Sequence, residues 1–258
     1  MPIFAKKNCD ICGGKIGLLG NRKLDDGNLC GDCAKKLSPF FSDRRKSTVA
    51  DIQNQLAYRE QNKAAVAAFR ATRTVGLGTK VMLDEDAGKF IVTAARRLED
   101  ENPDVLDFSQ VTGCNIDISE SNKELKIKGP DGKEKSYVPP RHQYTFDFNC
   151  IIHVSHPWFN EIRFKINDKT ITAEATGAQR MGLSTQSGSE IGRRNTDYRE
   201  AEALGQEIKN ALTQVRKDVR AGVAAANKPK VAQTCPLCGA TTTPNANGCC
   251  EYCGGAMG

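Results

Sequence analysis

Eight of the eleven cysteines fall into four Cys-x-x-Cys pairs, and this pattern constrains the fold more than any other feature of the sequence. Two pairs lie near the start and two near the end: Cys9, Cys12, Cys30 and Cys33, then Cys235, Cys238, Cys250 and Cys253. Two such pairs separated by a short loop are typical of a tetrahedral Zn²⁺ site. The sequence therefore predicts two zinc ions as cofactors. A disulfide framework is the alternative, and a reducing compartment disfavours it.

The predicted role of both zinc ions is structural. A shell of four thiolates leaves no open coordination position for water, so neither ion is expected to hydrolyse a substrate. Each ion would instead hold together a segment too short to bury a core of its own. Cys249 precedes Cys250, but only Cys250 has the two-residue gap to Cys253. We therefore predict that Cys249 is not a ligand, with an exchange of register between the two as the alternative.

The first cysteine set lies in a module predicted over residues 1–41. Glycines follow Cys12, as a tight knuckle requires, whereas Cys33 opens a segment with helical character. A knuckle, a hairpin and a second pair at a helix start form a treble clef. Four strings resemble a bacterial zinc-binding domain family of unknown function: Cys9-Asp-Ile-Cys12, Gly17-Leu-Leu-Gly-Asn-Arg-Lys-Leu24, Asp26-Gly-Asn-Leu-Cys30 and Asp32-Cys-Ala-Lys-Lys-Leu-Ser-Pro-Phe-Phe41. The resemblance implies a bacterial source and a zinc site at these cysteines, and it implies no activity.

A connecting helix is predicted over residues 42–70, with Thr48 and Asp51 as its capping box. Val49, Ile52 and Leu56 share one face of this helix, which predicts contact with a neighbouring element. The apolar face weakens beyond Leu56, so the second half of the helix is expected to be solvated.

An α+β domain is predicted over residues 71–222. In this region apolar residues recur at every second position, as in strands, instead of every third or fourth. This spacing predicts seven short antiparallel strands, at 80–84, 89–93, 111–118, 124–128, 135–138, 144–155 and 162–167. Such strands fit a small sandwich or a partly open barrel. Residues 169–195 have no period and are predicted to be a mobile loop, and an amphipathic helix over 197–222 is expected to close the barrel. This topology resembles the pleckstrin-homology-like domains of bacteria.

The second cysteine set lies in a module predicted over residues 234–258, after a linker over 223–233 that contains Lys228-Pro229-Lys230. A glycine follows each of its pairs, at Gly239 and Gly254. The strings Cys-Pro-Leu-Cys-Gly-Ala and Cys-Glu-Tyr-Cys-Gly-Gly resemble the small zinc ribbons appended to many bacterial proteins. We therefore predict a symmetric ribbon here rather than a second treble clef.

No residue pattern outside the cysteine sets indicates catalysis, so the protein is predicted not to be an enzyme, and a small-molecule substrate is not expected. Cys114 and Cys150 lie on the apolar phase of their strands, which is typical of buried thiols. His142, His153 and His156 are interpreted as surface residues near turns. The spacing of three between the last two would also suit a metal site, but no carboxylate or cysteine motif accompanies them.

The net charge of the chain does not identify the kind of partner that it binds. The formal net charge is +6, and two zinc-bound cysteine sets reduce it to about +2, which does not by itself imply nucleic acid. We predict an adaptor that binds another protein through a strand edge of the β domain or a face of the ribbon. The alternatives are nucleic acid, bound by the ribbons and by clusters such as Arg44-Arg45-Lys46, and a membrane surface, bound by the lysine-rich hairpin of residues 123–135.

The sequence favours the cytoplasm as the location of the protein. Its start has no apolar segment like that of a signal peptide, and no apolar run approaches the roughly 20 residues of a membrane span. Cysteines in metal-binding spacing also fit a reducing compartment.

Overall fold

We describe a computed structural model of the protein over residues 7–176, 187–226, 232–245 and 247–257. The chain divides into two compact units, Met1–Arg216 and Lys217–Gly258. The predicted α+β class is confirmed, because helices and antiparallel sheets both occur. None of the helices in these ranges has the length and apolar character that crossing a membrane requires.

The first unit begins with two short hairpins and a helix. Strand β1 (Lys7–Asn8) pairs with β2 (Lys15–Ile16), β3 (Arg22–Lys23) pairs with β4 (Asn28–Leu29), and α1 spans Gly31–Lys35. Leu24, Leu29 and Leu37 are buried here beside two of the cysteines, Cys9 and Cys33. Elements this short bury little apolar surface by themselves.

Helix α2 (Val49–Ala68) follows, and its start has the predicted capping box. The Thr48 side chain accepts a hydrogen bond from the backbone N–H of Asp51, and the Asp51 carboxylate accepts one from the backbone N–H of Thr48. Ile52, one turn further, completes the core of the preceding module.

The second half of α2 has a buried face, contrary to the prediction, although residues such as Glu60 and Lys63 on its other side are exposed. Arg59 and Asn62 are buried on the same face as Val66. Polar side chains can be buried when they find hydrogen-bond partners, and Asn62 Nδ2 donates to the carbonyl oxygen of Pro103 at 2.8 Å. A buried face made of polar side chains cannot be recognised from the spacing of apolar residues.

A four-stranded antiparallel sheet comes next, in which each strand pairs with the one that follows it in the chain. Its strands are β5 (Arg73–Val75), β6 (Lys80–Asp84), β7 (Lys89–Thr93) and β8 (Val105–Asp107), with the short helix α3 (Leu98–Glu101) before β8. The predicted strands at 80–84 and 89–93 are both present. Strands β5 and β8 were not predicted, because three residues are too few to display a period of two.

The second sheet is built around one long strand. Its members are β9 (Val111–Lys128), β10 (Glu134–Val154), β11 (Glu161–Lys165) and β12 (Ile171–Thr176). Strand β9 pairs along one edge of β10, while β11 and β12 share the other edge. The strands predicted at 111–118 and 124–128 are thus one strand, and those at 135–138 and 144–155 are another. The described residues form separate sheets and no closed barrel.

The loop predicted over residues 169–195 is a further correction. Strand β12 lies inside it, as does α4 (Gly188–Gly192), while residues 177–186 lie outside the described residues. Strand β12 forms by pairing with residues 141–146 of β10, and a capping box of Ser187 and Glu190 fixes the start of α4. Neither feature leaves a hydrophobic period in the sequence.

Helix α5 (Thr196–Ala226) packs on the second sheet, where the sequence predicts a helix over 197–222. The buried ring of Tyr198 lies edge-on to Phe146 and Phe148 of β10, with 4.9 Å between ring centroids in both cases. Further along, Gly205 lets the helix approach Ile116 and Ile166 closely, since a Cβ at this position would lie 3.2–3.3 Å from their side chains.

The last described segment is a pair of tight turns joined by short strands. Strand β13 (Gln233–Thr234) pairs with β14 (Thr241–Thr242), and Cys249 forms an isolated bridge with Ala256. The predicted linker over 223–233 starts within α5 and ends in β13. Its Lys228-Pro229-Lys230 segment lies outside the described residues.

Candidate metal centres

Three of the four Cys-x-x-Cys pairs fold into the same knuckle. In each, the glycine after the second cysteine has a φ near +70° and its N–H bonds to the carbonyl oxygen of the first cysteine: Gly13 to Cys9 at 2.8 Å, Gly239 to Cys235 at 2.9 Å and Gly254 to Cys250 at 2.9 Å. Glycine adopts this left-handed conformation without steric cost. The local sequence therefore turns each pair so that both thiols point to the same side.

The fourth pair is built differently, on the start of a helix. Cys30 is the N-cap of α1, and its Sγ accepts a hydrogen bond from the backbone N–H of Cys33 at 3.4 Å. Cys33 thus lies in the first turn of the helix. This is the arrangement that the helical segment after Cys33 predicts.

The structure brings each predicted set of four cysteines together. The four Sγ atoms of each set all lie within 4.8 Å of one another. Neighbouring sulfurs are 3.7 Å apart between Cys12 and Cys30, and 3.5 Å apart between Cys235 and Cys253. A tetrahedron with metal–sulfur bonds of about 2.3 Å has edges of about 3.8 Å. Each cluster therefore has the donor atoms and the spacing to hold one metal ion.

The thiols of the first cluster, around Cys9, do not ionise alike. Burial opposes ionisation of Cys9, but backbone N–H groups, among them that of Cys30 at 3.3 Å, lower its pKa to about 6. Burial raises the pKa of Cys33, and the neighbouring sulfurs raise it further. One thiolate forms readily, while several thiolates repel one another at this distance. A bound cation would relieve that repulsion.

The second cluster, around Cys235, has the same electrostatic pattern. Backbone N–H groups of Cys238 and Leu237 lower the pKa of Cys235 to about 6. The Gly255 N–H favours ionisation of Cys253, but the sulfurs of Cys238 and Cys235 outweigh it and raise the Cys253 pKa. Two unrelated segments of the chain thus present the same kind of donor set.

The two clusters differ in what surrounds them. The first borders a core that contains Leu24, Leu29 and Leu37 from its own module and Ile52 from α2. In the second, Met257 is the only buried apolar residue, among those described, that packs with the buried cysteines. Metal binding at the second cluster would therefore replace most of a hydrophobic core.

Cys249 lies outside the second cluster, although it is adjacent to Cys250. It is half-buried, and its thiol lies 3.6 Å from the carbonyl oxygen of Asn247. The clusters of three or more potential metal ligands found in the described ranges are the two cysteine sets.

The histidines do not assemble into a site. His142 Nδ1 lies 3.2 Å from Asn122 Oδ1, and His153 Nε2 lies 3.3 Å from Asn115 Nδ2. His156 is not a simple surface residue as predicted. Its ring stacks on Phe159 with centroids 4.2 Å apart, and burial lowers its pKa.

The other two cysteines, Cys114 and Cys150, lie beside each other, and one of them is fully buried. Cys150 is fully buried, Cys114 is half-buried, and their Sγ atoms are 3.8 Å apart on neighbouring strands. Their contact is diagonal in the register, because Cys114 lies opposite Ile152 and Cys150 opposite Ile116.

Sequence reasoning missed a buried polar network beside the first cluster. Ser38 Oγ donates to Asp104 Oδ2 at 2.7 Å, and Arg59 Nη1 donates to Asp104 Oδ1 at 2.8 Å. Arg59 Nε also reaches the carbonyl oxygen of Lys36 at 3.3 Å. The network joins the cysteine module, α2 and the start of β8. Its members are 45 and 66 residues apart, so no local motif could have indicated it.

Comparison with known proteins gives one family for part of the chain. Residues 7–55 match a family described as a domain of unknown function, DUF4428. The match covers the first cysteine cluster and the first turns of α2. No curated protein and no solved structure matches the chain significantly.

Proposed function

We propose that this protein is a non-enzymatic adaptor that binds two structural zinc ions and another protein. The observation that carries the proposal is the convergence of eight thiols into two groups of four. Tetrahedral sulfur sites suit Zn²⁺, and four thiolates leave no position for a reacting water. Zinc at these sites would stabilise the fold and perform no catalysis.

Finer fold assignments belong to the same proposal. One knuckle joined to a cysteine pair at a helix start supports a treble clef for residues 1–41, and two knuckles support a ribbon for residues 234–258. For residues 71–222, a four-stranded meander, a second sheet around β10 and a long helix on that sheet follow one another. This order supports a pleckstrin-homology-like arrangement.

A protein partner is supported by the surface of the second cluster. Leu237 and Tyr252 are 74% and 75% exposed, and each immediately precedes the second cysteine of its knuckle. The equivalent residue of the first knuckle, Ile11, packs instead against a core. Exposed apolar side chains can form part of a protein contact. Leu18 and Leu19 of the first module are at least as exposed, so the two pairs are compared in the test below.

The charge of the same segment disfavours nucleic acid as its ligand. Residues 232–258 contain no lysine or arginine, and Glu251 is their one acidic side chain. With a zinc ion and four thiolates the segment would carry a charge of about −3. Phosphate backbones are bound by positive surfaces, so this segment would repel them.

Elemental analysis and affinity capture test the proposal together. The purified protein should contain two zinc ions per chain. Capture from a lysate of the source organism should recover the same partner with and without nuclease, and Leu237→Asp/Tyr252→Asp should lose it. The matched control is Leu18→Asp/Leu19→Asp, which changes two exposed leucines of the first module and should retain the partner. A partner lost on nuclease treatment, or retained by the first variant, would contradict the proposal.

A further inference from the structure

The hairpin of β9 and β10 extends beyond the rest of the second sheet. Strand β12 stops pairing with β10 at Arg141, whereas β9 and β10 continue to the pair of Lys128 and Glu134. We call residues 123–141 the arm. Beyond Leu125 no third strand, among the described residues, flanks it. The outer edges of both strands are therefore unpaired there, and the side chains of residues 126–128 and 133–136 are exposed.

The arm displays aliphatic side chains to water. Its register is irregular between Ser136 and Arg141, so residues 137–140 bulge from the ladder. Within this bulge Val138 is 98% exposed, and Ile127 on the facing strand is 49% exposed. Such side chains gain free energy by entering an apolar environment.

The arm is also basic, and its charges are unevenly divided between its faces. It contains six basic residues and three acidic ones: Lys123, Lys126, Lys128, Lys133, Lys135 and Arg141, against Glu124, Asp131 and Glu134. Strand alternation and register place Lys123, Leu125 and Ile127 on one face, opposite Gln143, Arg141 and Lys135. None of these six positions carries a carboxylate. Lys135 Nζ lies 3.6 Å from Asp131 Oδ2 within the arm, and Glu174 of β12 lies opposite Gln143. The ion pair of Lys135 and Asp131 is exposed and therefore weak, so Lys135 can still interact with another anion.

We propose that the arm, through this face and the bulge that contains Val138, docks on an anionic lipid bilayer. Val138 and Ile127 would enter the interface between headgroups and acyl chains, while Lys123, Lys135 and Arg141 would lie over the anionic headgroups. A basic residue near such a surface strengthens binding about fivefold. Nucleic acid is a poorer occupant, because single strands are held by stacking on aromatic rings. The most exposed apolar residues of the arm are aliphatic, and its one aromatic ring, Tyr137, is half-buried and already lies under Arg141 at 4.8 Å. The inference goes beyond adaptor function, since it assigns a location to the protein.

Vesicle flotation of the full-length, zinc-loaded protein tests the inference. The probes are vesicles of phosphatidylcholine alone and of phosphatidylcholine with phosphatidylserine. We expect binding to the second kind only, weakened by added salt. Lys123→Glu/Lys135→Glu should lower the vesicle affinity at least about tenfold, and Val138→Asp should lower it as well. Circular dichroism and zinc content report whether each variant is folded.

Matched controls change the same residue types elsewhere. Lys15→Glu/Lys23→Glu reverses two exposed charges of the first module, and Leu19→Asp replaces an exposed leucine. Both should bind vesicles like the wild type. The inference is overturned if the wild type binds neither vesicle or both equally, or if the folded arm variants bind like the wild type. It is also overturned if the arm variants lose binding to an oligonucleotide or an acidic peptide while the wild type ignores vesicles. The partner-capture experiment with the Leu237→Asp/Tyr252→Asp variant is a separate measurement, so the adaptor proposal and the membrane proposal can fail independently.

Discussion

The buried ion pair of Arg59 and Asp104 connects the first cysteine module to the sheets, and breaking it should be strongly destabilising. Asp104 is fully buried, and both of its carboxylate oxygens are used, one by Arg59 and one by the Ser38 hydroxyl. Arg59 is buried as well. Replacing Asp104 with alanine would therefore leave a guanidinium in a nearly water-free place without its anion.

The size of the effect follows from these contacts. Removing one partner of a buried ion pair costs about 3–5 kcal/mol, because the remaining charge is uncompensated. The Ser38 hydroxyl would also lose its acceptor, at a cost of about 1 kcal/mol. Replacing both ionic partners with apolar side chains is often close to neutral. We therefore expect Asp104→Ala to lose most of this amount and Arg59→Met/Asp104→Leu to recover much of it.

The single tryptophan provides the assay. Trp158 lies edge-on to Phe41 of the cysteine module, with ring centroids 6.3 Å apart, so its fluorescence reports contact between the module and the sheets. In urea titrations of the full-length, zinc-loaded protein, Asp104→Ala should lower the unfolding midpoint by about 1–2 M. The matched control is Asp117→Ala, which breaks an exposed pair with Arg163 and should cost less than about 1 kcal/mol.

Two results would refute this reasoning. Equal midpoint shifts in Asp104→Ala and Asp117→Ala would mean that burial does not set the cost. If Arg59→Met/Asp104→Leu were no more stable than Asp104→Ala, an unpaired charge would not be the cause of the loss.

Three further predictions concern single side chains. Cys250→Ser should remove one zinc ion per chain, whereas Cys249→Ser, outside the cluster, should leave the zinc content measured by elemental analysis unchanged. Burial lowers the pKa of His156, so the unfolded chain takes up a proton that the folded protein excludes. Stability should therefore fall as the pH drops below about 6.5, and urea midpoints should vary less with pH in His156→Gln. Tyr198→Ala should cost about 3–5 kcal/mol in thermal unfolding, because its buried ring contacts two other rings, whereas Tyr198→Phe should cost less than about 1.5 kcal/mol.

The cysteine clusters could be predicted because their geometry is local. Two cysteines three residues apart, with Gly239 or Gly254 directly after them, specify a knuckle without help from distant parts of the chain. The second pair of each set follows after a short loop, so few arrangements are possible. The contact of Asp104 with Ser38 crosses 66 residues. This contact depends on how α2 packs against the sheet. No fixed spacing of residues in the sequence indicates that packing.

The strands, too, could be predicted only where a local pattern of residues defines them. Strands β6 and β7 lie at their predicted positions, because alternating apolar residues and a short turn define them locally. Residues 119–123 of β9 are polar and break the apolar pattern, so the sequence predicts two strands. Their backbone nevertheless pairs with β10 throughout, for example Ser121 with Thr145. Backbone hydrogen bonds to β10 therefore keep β9 extended where the alternation of apolar and polar residues stops.

The same ligand set has different energetic consequences at the two ends of the chain. The first cluster shares its core with Ile52 of α2, and α2 shares the Arg59–Asp104 pair with the sheets. A metal ion bound at this cluster would therefore stabilise contacts well beyond the loop that it closes, since binding free energy adds to every element that folds with the site. The second cluster packs with Met257 and lies in a separate unit. Loss of its metal would be a local unfolding event, which leaves the contacts around Trp158 intact.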